Sequence, residues 1–209
     1  MEQQRLRFTS QQLIDRIKPR LYSTEHQSDR IKNLVTVPIA GDLVLSWYAD
    51  VSDLVSAGQG ETACAPISVS LAENLGLSLD DLLRLGQEHT RGTYKMQSMQ
   101  DAMGCLLGLP DEKDSIPMYI LCNHSLQFGA AAVLDAEVQS RLTEMWPDGF
   151  YLLPSSIHEM LAVSKTAADP AELVEMVRQI NSDCTVLQPQ DILSNHVFAF
   201  EEGRIVVAA

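Results

Sequence analysis

The chain has 209 residues, of which 45% are hydrophobic and 21% charged, and its formal net charge at pH 7 is −13. These values are typical of a soluble globular protein of one domain, which can bury a core without metals or disulfides. No apolar run approaches the roughly 18 residues of a transmembrane helix, so the composition excludes a membrane-spanning protein.

The charge is unevenly distributed along the chain. Residues 1–34 carry seven Lys or Arg against four Asp or Glu, whereas residues 35–209 carry eight against twenty-four. An acidic body repels phosphate backbones, so we expect no direct binding of nucleic acid through it. The same field would attract a basic partner and accelerate its association, although acidic residues also serve solubility alone.

The first third of the chain is predicted to contain a helix and two strands. The apolar spacing of Phe8 to Ile17 indicates a helix, with Thr9 or Ser10 as its N-cap and Pro19 as its stop signal. Residues 22–30 are predicted to form a loop. Residues 33–51 predict two strands joined near Gly41.

The middle of the chain is predicted to be helical. Residues 66–76 have helical spacing and end at Gly76, and Ser78 begins a capping pattern with acidic residues in the first turn. Residues 94–108 predict a third helix that would place Met96, Met99 and Met103 on one stripe, as core or as a partner groove.

A surface loop at residues 111–115 is the predicted boundary between an N-terminal region, 1–110, and a C-terminal region, 111–209, which together form one compact unit. Beyond the boundary the pattern predicts the order ββαββαββ. Residues 129–135 supply its second strand, and Asp169 and Pro170 begin its second helix. Paired strands separated by single helices indicate an α+β fold, in which an antiparallel sheet carries helices on one face.

Cofactor and metal motifs are missing from the sequence. It contains no phosphate-binding loop, no dinucleotide-binding glycine motif and no C-x-x-C pair, so no cofactor or metal is expected. Cys122 and His124 could both contact a metal from one strand end, but two ligands are too few, and a histidine at a hairpin corner is favoured. With no export signal and scattered cysteines, we expect a cytoplasmic protein.

Two arrangements could serve catalysis by a hydrolase or transferase. Cys64 precedes Pro66 and a predicted helix whose N-terminus could lower the thiol pKa, with His124 or His158 as base. Alternatively, Ser156, His158 and Glu159 could act together in the stretch PSSIHE. A Ser-x-His pair on one strand rarely has the geometry for proton transfer, and Pro154 favours a bend, so we favour a structural hairpin corner.

Several segments together resemble an uncharacterised domain-of-unknown-function family: MYILCN (118–123), GAAAVL (129–134), FYLLPSSIHEM (150–160), ELVEMVRQIN (172–181) and DILSNHVFAF (191–200), together with residues 65–86. The resemblance covers about residues 65–203, and its most specific piece is PSSIHE (154–159). It implies that this stretch is a family signature, and it implies no activity.

The resemblance also bears on context and on two candidate residues. The family is numerous in gut clostridia and is often carried on mobile elements, which implies a role in conflict between host and element. Where the family tends to have Thr-Asn-Lys, this chain has Cys122-Asn123-His124, which argues against a catalytic or metal role there.

We therefore expect a non-enzymatic binding module. Most concretely, it would be an acidic inhibitor or adaptor of the anti-CRISPR or anti-restriction type. It would dock on a basic protein such as a defence nuclease and occupy the nucleic-acid groove of that protein. Three acidic clusters would make the contacts: Asp80 and Asp81; Asp111, Glu112 and Asp114; Glu201 and Glu202. The alternatives are the enzyme above and a structural or regulatory homo-oligomer with the methionine stripe as interface. The sequence leaves the oligomeric state open.

Overall fold

The computed structural model describes residues 8–55, 63–102, 116–183 and 187–209 of the chain. They form two antiparallel sheets, as expected of an α+β fold. The strands are β1 Ile17–Ser23, β2 Val37–Ala40, β3 Leu43–Asp50, β4 Cys64–Pro66, β5 Tyr94–Ser98, β6 Met118–Asn123, β7 Phe150–Ser156, β8 Glu159–Ser164, β9 Phe198–Glu201 and β10 Arg204–Val207. The helices are α1 Ser10–Ile14, α2 Ser28–Ile31, α3 Val69–Leu75, α4 Leu79–Thr90, α5 Ala136–Met145 and α6 Pro170–Ser182, with 3₁₀ helices at Gly129–Leu134 and Pro189–Asp191.

The first sheet is built around β3. Strand β1 pairs with it over seven residues, while β2 pairs with its beginning and β4 with its end. The second sheet has the order β10-β9-β7-β8-β6-β5. Its edge strand β5 comes from residues before the predicted boundary, and the boundary loop at 111–115 lies outside the described residues.

Helix ends follow the capping rules that the sequence predicts. Thr9 and Ser78 each close a capping box, and Gly76 ends α3 in the left-handed conformation. Asp169 caps α6 with Pro170 in its first turn. These predictions are confirmed because a cap depends on local sequence alone.

The N-terminal helix and the loop after it were predicted wrongly. Helix α1 ends at Ile14, and residues 17–23 form strand β1 instead of helix and loop. Pro19 is therefore no stop signal: it lies inside β1, which tolerates proline because β1 is an edge strand of its sheet. The predicted loop at 22–30 also contains the start of α2.

The predicted third helix begins with a strand. Residues 94–98 pair with β6 in antiparallel register, so Met96 lies on a strand and does not share a helical stripe with Met99. Met103 lies outside the described residues. Tertiary pairing with a neighbouring strand has overridden the helical spacing of the apolar residues.

The segment predicted as the second strand of the C-terminal region is a 3₁₀ helix, Gly129–Leu134. Its three alanines are at most 1% exposed, and a Cβ added to Gly129 would lie 2.6 Å from the backbone nitrogen of Asn123 and from the carbonyl oxygen of His158. Small residues therefore bring this segment close to the backbone of the second sheet, and no strand pairing is needed to bury it.

The core joins the two sheets. Trp47 and Leu21 of the first sheet belong to the same buried cluster as Leu121, Leu152 and Phe198 of the second. A smaller cluster lies under helix α6, comprising Leu153, Val163, Leu173, Val174, Val177 and Val197. Among the described residues, no helix combines the length and the apolar character that crossing a membrane would require.

Candidate functional site

The stretch PSSIHE forms the tight hairpin between β7 and β8, with an irregular register between Pro154 and Ser156. The Ser156 hydroxyl accepts the backbone N–H of His158 at 3.0 Å, and the Ser155 hydroxyl donates to Glu159 Oε1 at 2.9 Å. The backbone N–H of Ile157 donates to the Asp191 carbonyl at 2.9 Å. The serine hydroxyls and the glutamate carboxylate thus already take part in hydrogen bonds within and around the turn.

The His158 ring is fixed by the chain segment that precedes the 3₁₀ helix. Its Nδ1 accepts the backbone N–H of Phe128 at 3.1 Å, and the two rings stack with their centroids 5.5 Å apart. An Nδ1 that accepts leaves the proton on Nε2, which lies 3.9 Å from Asp191 Oδ1. Burial lowers the pKa of His158, opposed by the charge of Asp191, so the ring is neutral at pH 7.

This geometry does not assemble a nucleophile with a base. The Ser156 hydroxyl bonds to a backbone N–H and not to the imidazole, and the Nδ1 of His158 is occupied by Phe128. A serine nucleophile needs a base within hydrogen-bond reach of its own hydroxyl proton. The arrangement of Ser156, His158 and Glu159 instead holds the turn against Phe128 and Asp191.

Cys64 is the first residue of strand β4 and is half-buried. Helix α3 begins at Val69, further along the chain than expected, so Cys64 does not lie at the helix start. Burial raises the pKa of its thiol, although the charge of Arg20 lowers it. A thiol with a raised pKa is largely protonated at neutral pH and is a poor nucleophile.

Two of the acidic clusters have structural contacts. Asp81 closes the capping box with Ser78, which lowers the pKa of its carboxyl group, and it also pairs with Arg84. Glu201 forms an ion pair with Lys165 at 2.7 Å. Asp80 and Glu202 are exposed and form no ion pair with a described residue. The third cluster, Asp111, Glu112 and Asp114, lies outside the described residues.

One group of side chains in the described part of the chain has the spacing of metal ligands: Glu25, His26 and Asp42 offer atoms within 4.8 Å of one another. The carboxylate of Asp42 already accepts hydrogen bonds from the hydroxyls of Ser23 and Ser194. These bonds tie the first sheet to the segment before β9 and account for the burial of Asp42.

Cys122 and His124 do not form a shared site. Cys122 is buried, which raises the pKa of its thiol, whereas His124 is exposed in the turn after β6.

His124 lines a cavity of about 180 Å³ with Lys18 and His89. A neighbouring cavity of about 240 Å³ is walled mainly by apolar residues, among them Trp47 and Leu134. Both are smaller than the cavities of about 300 Å³ or more that usually hold ligands.

Sequence reasoning missed a cluster centred on Arg20 of strand β1. The guanidinium carbon lies 3.7 Å from the centroid of the Phe128 ring and 4.4 Å from that of Tyr22. Arg20 is only 5% exposed, and its Nε has no hydrogen-bond partner among the residues that the structure describes. Burial lowers the pKa of this guanidinium. Strand β1 could have been predicted from the alternation of Ile17, Pro19 and Leu21 with polar residues in the sequence.

Phe128 connects this cluster to the hairpin corner. Its ring contacts His158 by stacking, Tyr48 edge to face at 5.2 Å, and the guanidinium of Arg20. Its backbone has a φ of +55°, which is uncommon for a residue with a side chain. The turn before the 3₁₀ helix therefore places one aromatic ring between the polar face of the first sheet and the signature corner of the second.

Comparison with known proteins identifies the family. The family of unknown function DUF5688 matches residues 3–202. The chain belongs to this family. The match begins at residue 3, so it extends beyond the resemblance at about residues 65–203 and also covers the N-terminal region, including Arg20. No curated protein and no solved structure matches the chain.

Proposed function

We propose that this DUF5688 protein is a non-enzymatic binding module, most concretely an acidic inhibitor or adaptor that docks on a basic, nucleic-acid-handling protein such as a defence nuclease. It would act in the cytoplasm, and an origin in gut clostridia and their mobile elements is part of the proposal. Cys64 and Cys122 are free thiols, as is usual for a reducing compartment.

The observation that carries the proposal is the acidic body, with eight Lys or Arg against twenty-four Asp or Glu in residues 35–209. Exposed carboxylates that form no ion pair with a described residue, such as Asp80 and Glu202, present their charge to a cationic surface. Opposite charges across an interface accelerate association and exclude partners of the wrong sign. The polar groups of the hairpin corner form hydrogen bonds within the protein, and this favours a binding function over a catalytic one.

The test measures binding to purified defence nucleases and inhibition of their cleavage of nucleic acid over a series of salt concentrations. We expect affinity that falls steeply as ionic strength rises, since exposed charges are screened beyond a Debye length of about 8 Å at physiological salt. No affinity for any nuclease, or an affinity that salt does not change, would contradict the proposal.

The double variant Asp80→Asn/Glu202→Gln removes two contact charges without removing a cap or an ion pair. We expect it to weaken binding on the order of tenfold, mainly through the association rate. The matched control is Glu137→Gln/Glu144→Gln on the exposed side of α5, outside the predicted contact clusters. An equal loss in both double variants would show that net charge alone, and not the clusters, determines binding.

A further inference from the structure

The cavity of about 240 Å³ lies between the first sheet and helix α4. On the sheet, Trp47 of β3 is paired with Pro19 of β1, and Leu45 of β3 with Val37 of β2. Residues directly opposite each other, and alternate residues of one strand, share a face of the sheet. All four side chains line the cavity, so three strands give it one apolar wall.

Helix α4 leaves this space unfilled because it has a glycine where it meets Trp47. A Cβ on Gly86 would lie 2.9 Å from Trp47 Nε1, so a larger residue would displace the indole. Leu83 and Thr90 lie one turn before and one turn after Gly86, and both also line the cavity. Gln87 is exposed and lines it too, so the cavity opens to solvent beside the helix.

The indole N–H of Trp47 reaches this cavity without a hydrogen-bond partner. Trp47 is 1% exposed, and its Nε1 donates to no described residue. In the described part of the chain, the unpartnered side-chain nitrogens and oxygens that are sealed from solvent are Arg20 Nε and Ser46 Oγ, so Trp47 Nε1 is accessible to solvent. Because Nε1 lies beside Gly86 in the cavity wall, a bound molecule can approach it there. A buried indole N–H usually has a partner, so this group calls for a ligand with an acceptor.

The charge at the cavity is negative. Asp135 lines it, and no Lys, Arg or His of the described residues does. Its Oδ1 accepts the backbone N–H groups of Glu137 and Val138 at the start of α5, whereas its Oδ2 accepts from no described residue. A carboxylate repels an anion and accepts from a neutral donor, so the cavity favours an uncharged ligand with a hydroxyl group.

The size and the walls of the cavity limit the ligand further. A volume of about 240 Å³ is below that of sites for drug-sized molecules, which begin at about 300 Å³. It exceeds the roughly 150 Å³ of an apolar cavity that can hold benzene. The rings of Trp47 and Tyr94 in the walls suit an aromatic ring, since aromatic pairs are attracted beyond the area that they bury.

We propose that this cavity binds a small, uncharged aromatic alcohol of one ring, whose hydroxyl oxygen accepts the N–H of Trp47. The ring lies against the apolar face of the first sheet, and Asp135 excludes anionic relatives of the ligand. This binding does not depend on the docking function proposed above, because it uses none of the three acidic clusters.

The experiment is a nuclear magnetic resonance titration of the full chain with phenol, toluene and benzoate at neutral pH. The protein has two tryptophans, so its two indole N–H resonances report on the cavity and on a control position, Trp146. We expect phenol to shift the Trp47 resonance downfield in a saturable manner and to leave that of Trp146 in place. Toluene should bind about tenfold more weakly, because it leaves the N–H unpaired, and benzoate should not bind.

Leu83→Phe tests the position of the site. The larger side chain extends into the cavity from the partly exposed Leu83, so we expect the affinity for phenol to fall about tenfold or more. Leu79→Phe is the matched control, because Leu79 lies one turn earlier on α4, is 44% exposed and does not line the cavity. It should bind phenol as the wild type does.

Trp47→Phe tests the hydrogen bond. It keeps an aromatic ring and removes the N–H, so the affinity for phenol should fall about tenfold while that for toluene is unchanged. If this variant fails to fold, the resonance of Trp47 and the Leu83→Phe protein still decide the question. The proposal would be overturned if phenol leaves the Trp47 resonance unshifted, if toluene or benzoate binds as tightly as phenol, or if Leu79→Phe loses as much affinity as Leu83→Phe.

Discussion

The hairpin corner and the Arg20 cluster lie on two sides of Phe128, and they differ in how their polar atoms are used. At the corner Ser155, Ser156 and His158 all have hydrogen-bond partners inside the protein. In the cluster Arg20 Nε and Ser46 Oγ have none within the described part of the chain. The residues whose types suggest an active site are therefore hydrogen-bonded within the fold, whereas an arginine that no motif marks has a buried Nε without a partner among the described residues.

The largest effect in this comparison is expected at Gly129, where the corner and the 3₁₀ helix meet. A Cβ in Gly129→Ala would lie 2.6 Å from two backbone atoms, which cannot move without shifting a strand. We expect a loss of about 3 kcal/mol in the free energy of unfolding, measured by urea denaturation. Gly203→Ala is the control, because it has a φ of +79° but open space, and should cost about 1 kcal/mol. Equal costs at the two glycines would show that the contact at the corner is not tight.

His158→Ala is expected to have the next largest effect. It leaves the partly buried N–H of Phe128 without its acceptor and removes the ring that stacks on Phe128, so we expect a loss of about 2 kcal/mol in urea denaturation. His158→Asn places a carbonyl oxygen near the position of Nδ1 and should recover part of that loss. A His158→Ala protein of unchanged stability but lost binding would instead make the corner a functional site.

The sequence predicts the parts of this fold that depend on neighbouring residues. The caps at Thr9, Ser78 and Asp169 and the hairpin at PSSIHE are all local, and the structure confirms each. The residues of strand β5 have no such local determinant: they become a strand because β6 offers a free edge, which helical spacing cannot reveal.

The Arg20 cluster lay beyond prediction for the same reason. Arg20 and Phe128 are more than 100 residues apart in the chain, and they meet only because β1 lies beside the turn before the 3₁₀ helix. A missing hydrogen-bond partner is a property of three-dimensional neighbours, so no pattern along the chain can indicate it.

A pair of serine substitutions compares the two regions directly. Ser156→Ala removes the acceptor of the His158 backbone N–H and should cost about 1 kcal/mol, whereas Ser46→Ala removes a buried hydroxyl without a partner and should change stability by less than about 0.5 kcal/mol. Both serines are buried, so the loss of volume is the same in each case. Urea denaturation of the two variants gives the difference, and a larger cost at Ser46 would mean that its hydroxyl has a partner in solution.

The smallest effect is expected from the titration of His158. Burial lowers its pKa in the folded protein below the ordinary value of 6.5, so the unfolded chain takes up this proton first as the pH falls. Stability from this residue is therefore fully present above pH 6.5 and decreases below it, until the folded protein also binds the proton. The effect is limited because Asp191 favours the charged ring and opposes the burial. Urea denaturation between about pH 7.5 and pH 5 should show a decrease that is absent in His158→Asn. If the stability of both proteins changes equally over this range, His158 is as well solvated in the folded protein as in the unfolded chain, and the corner is more open than its contacts with Phe128 imply.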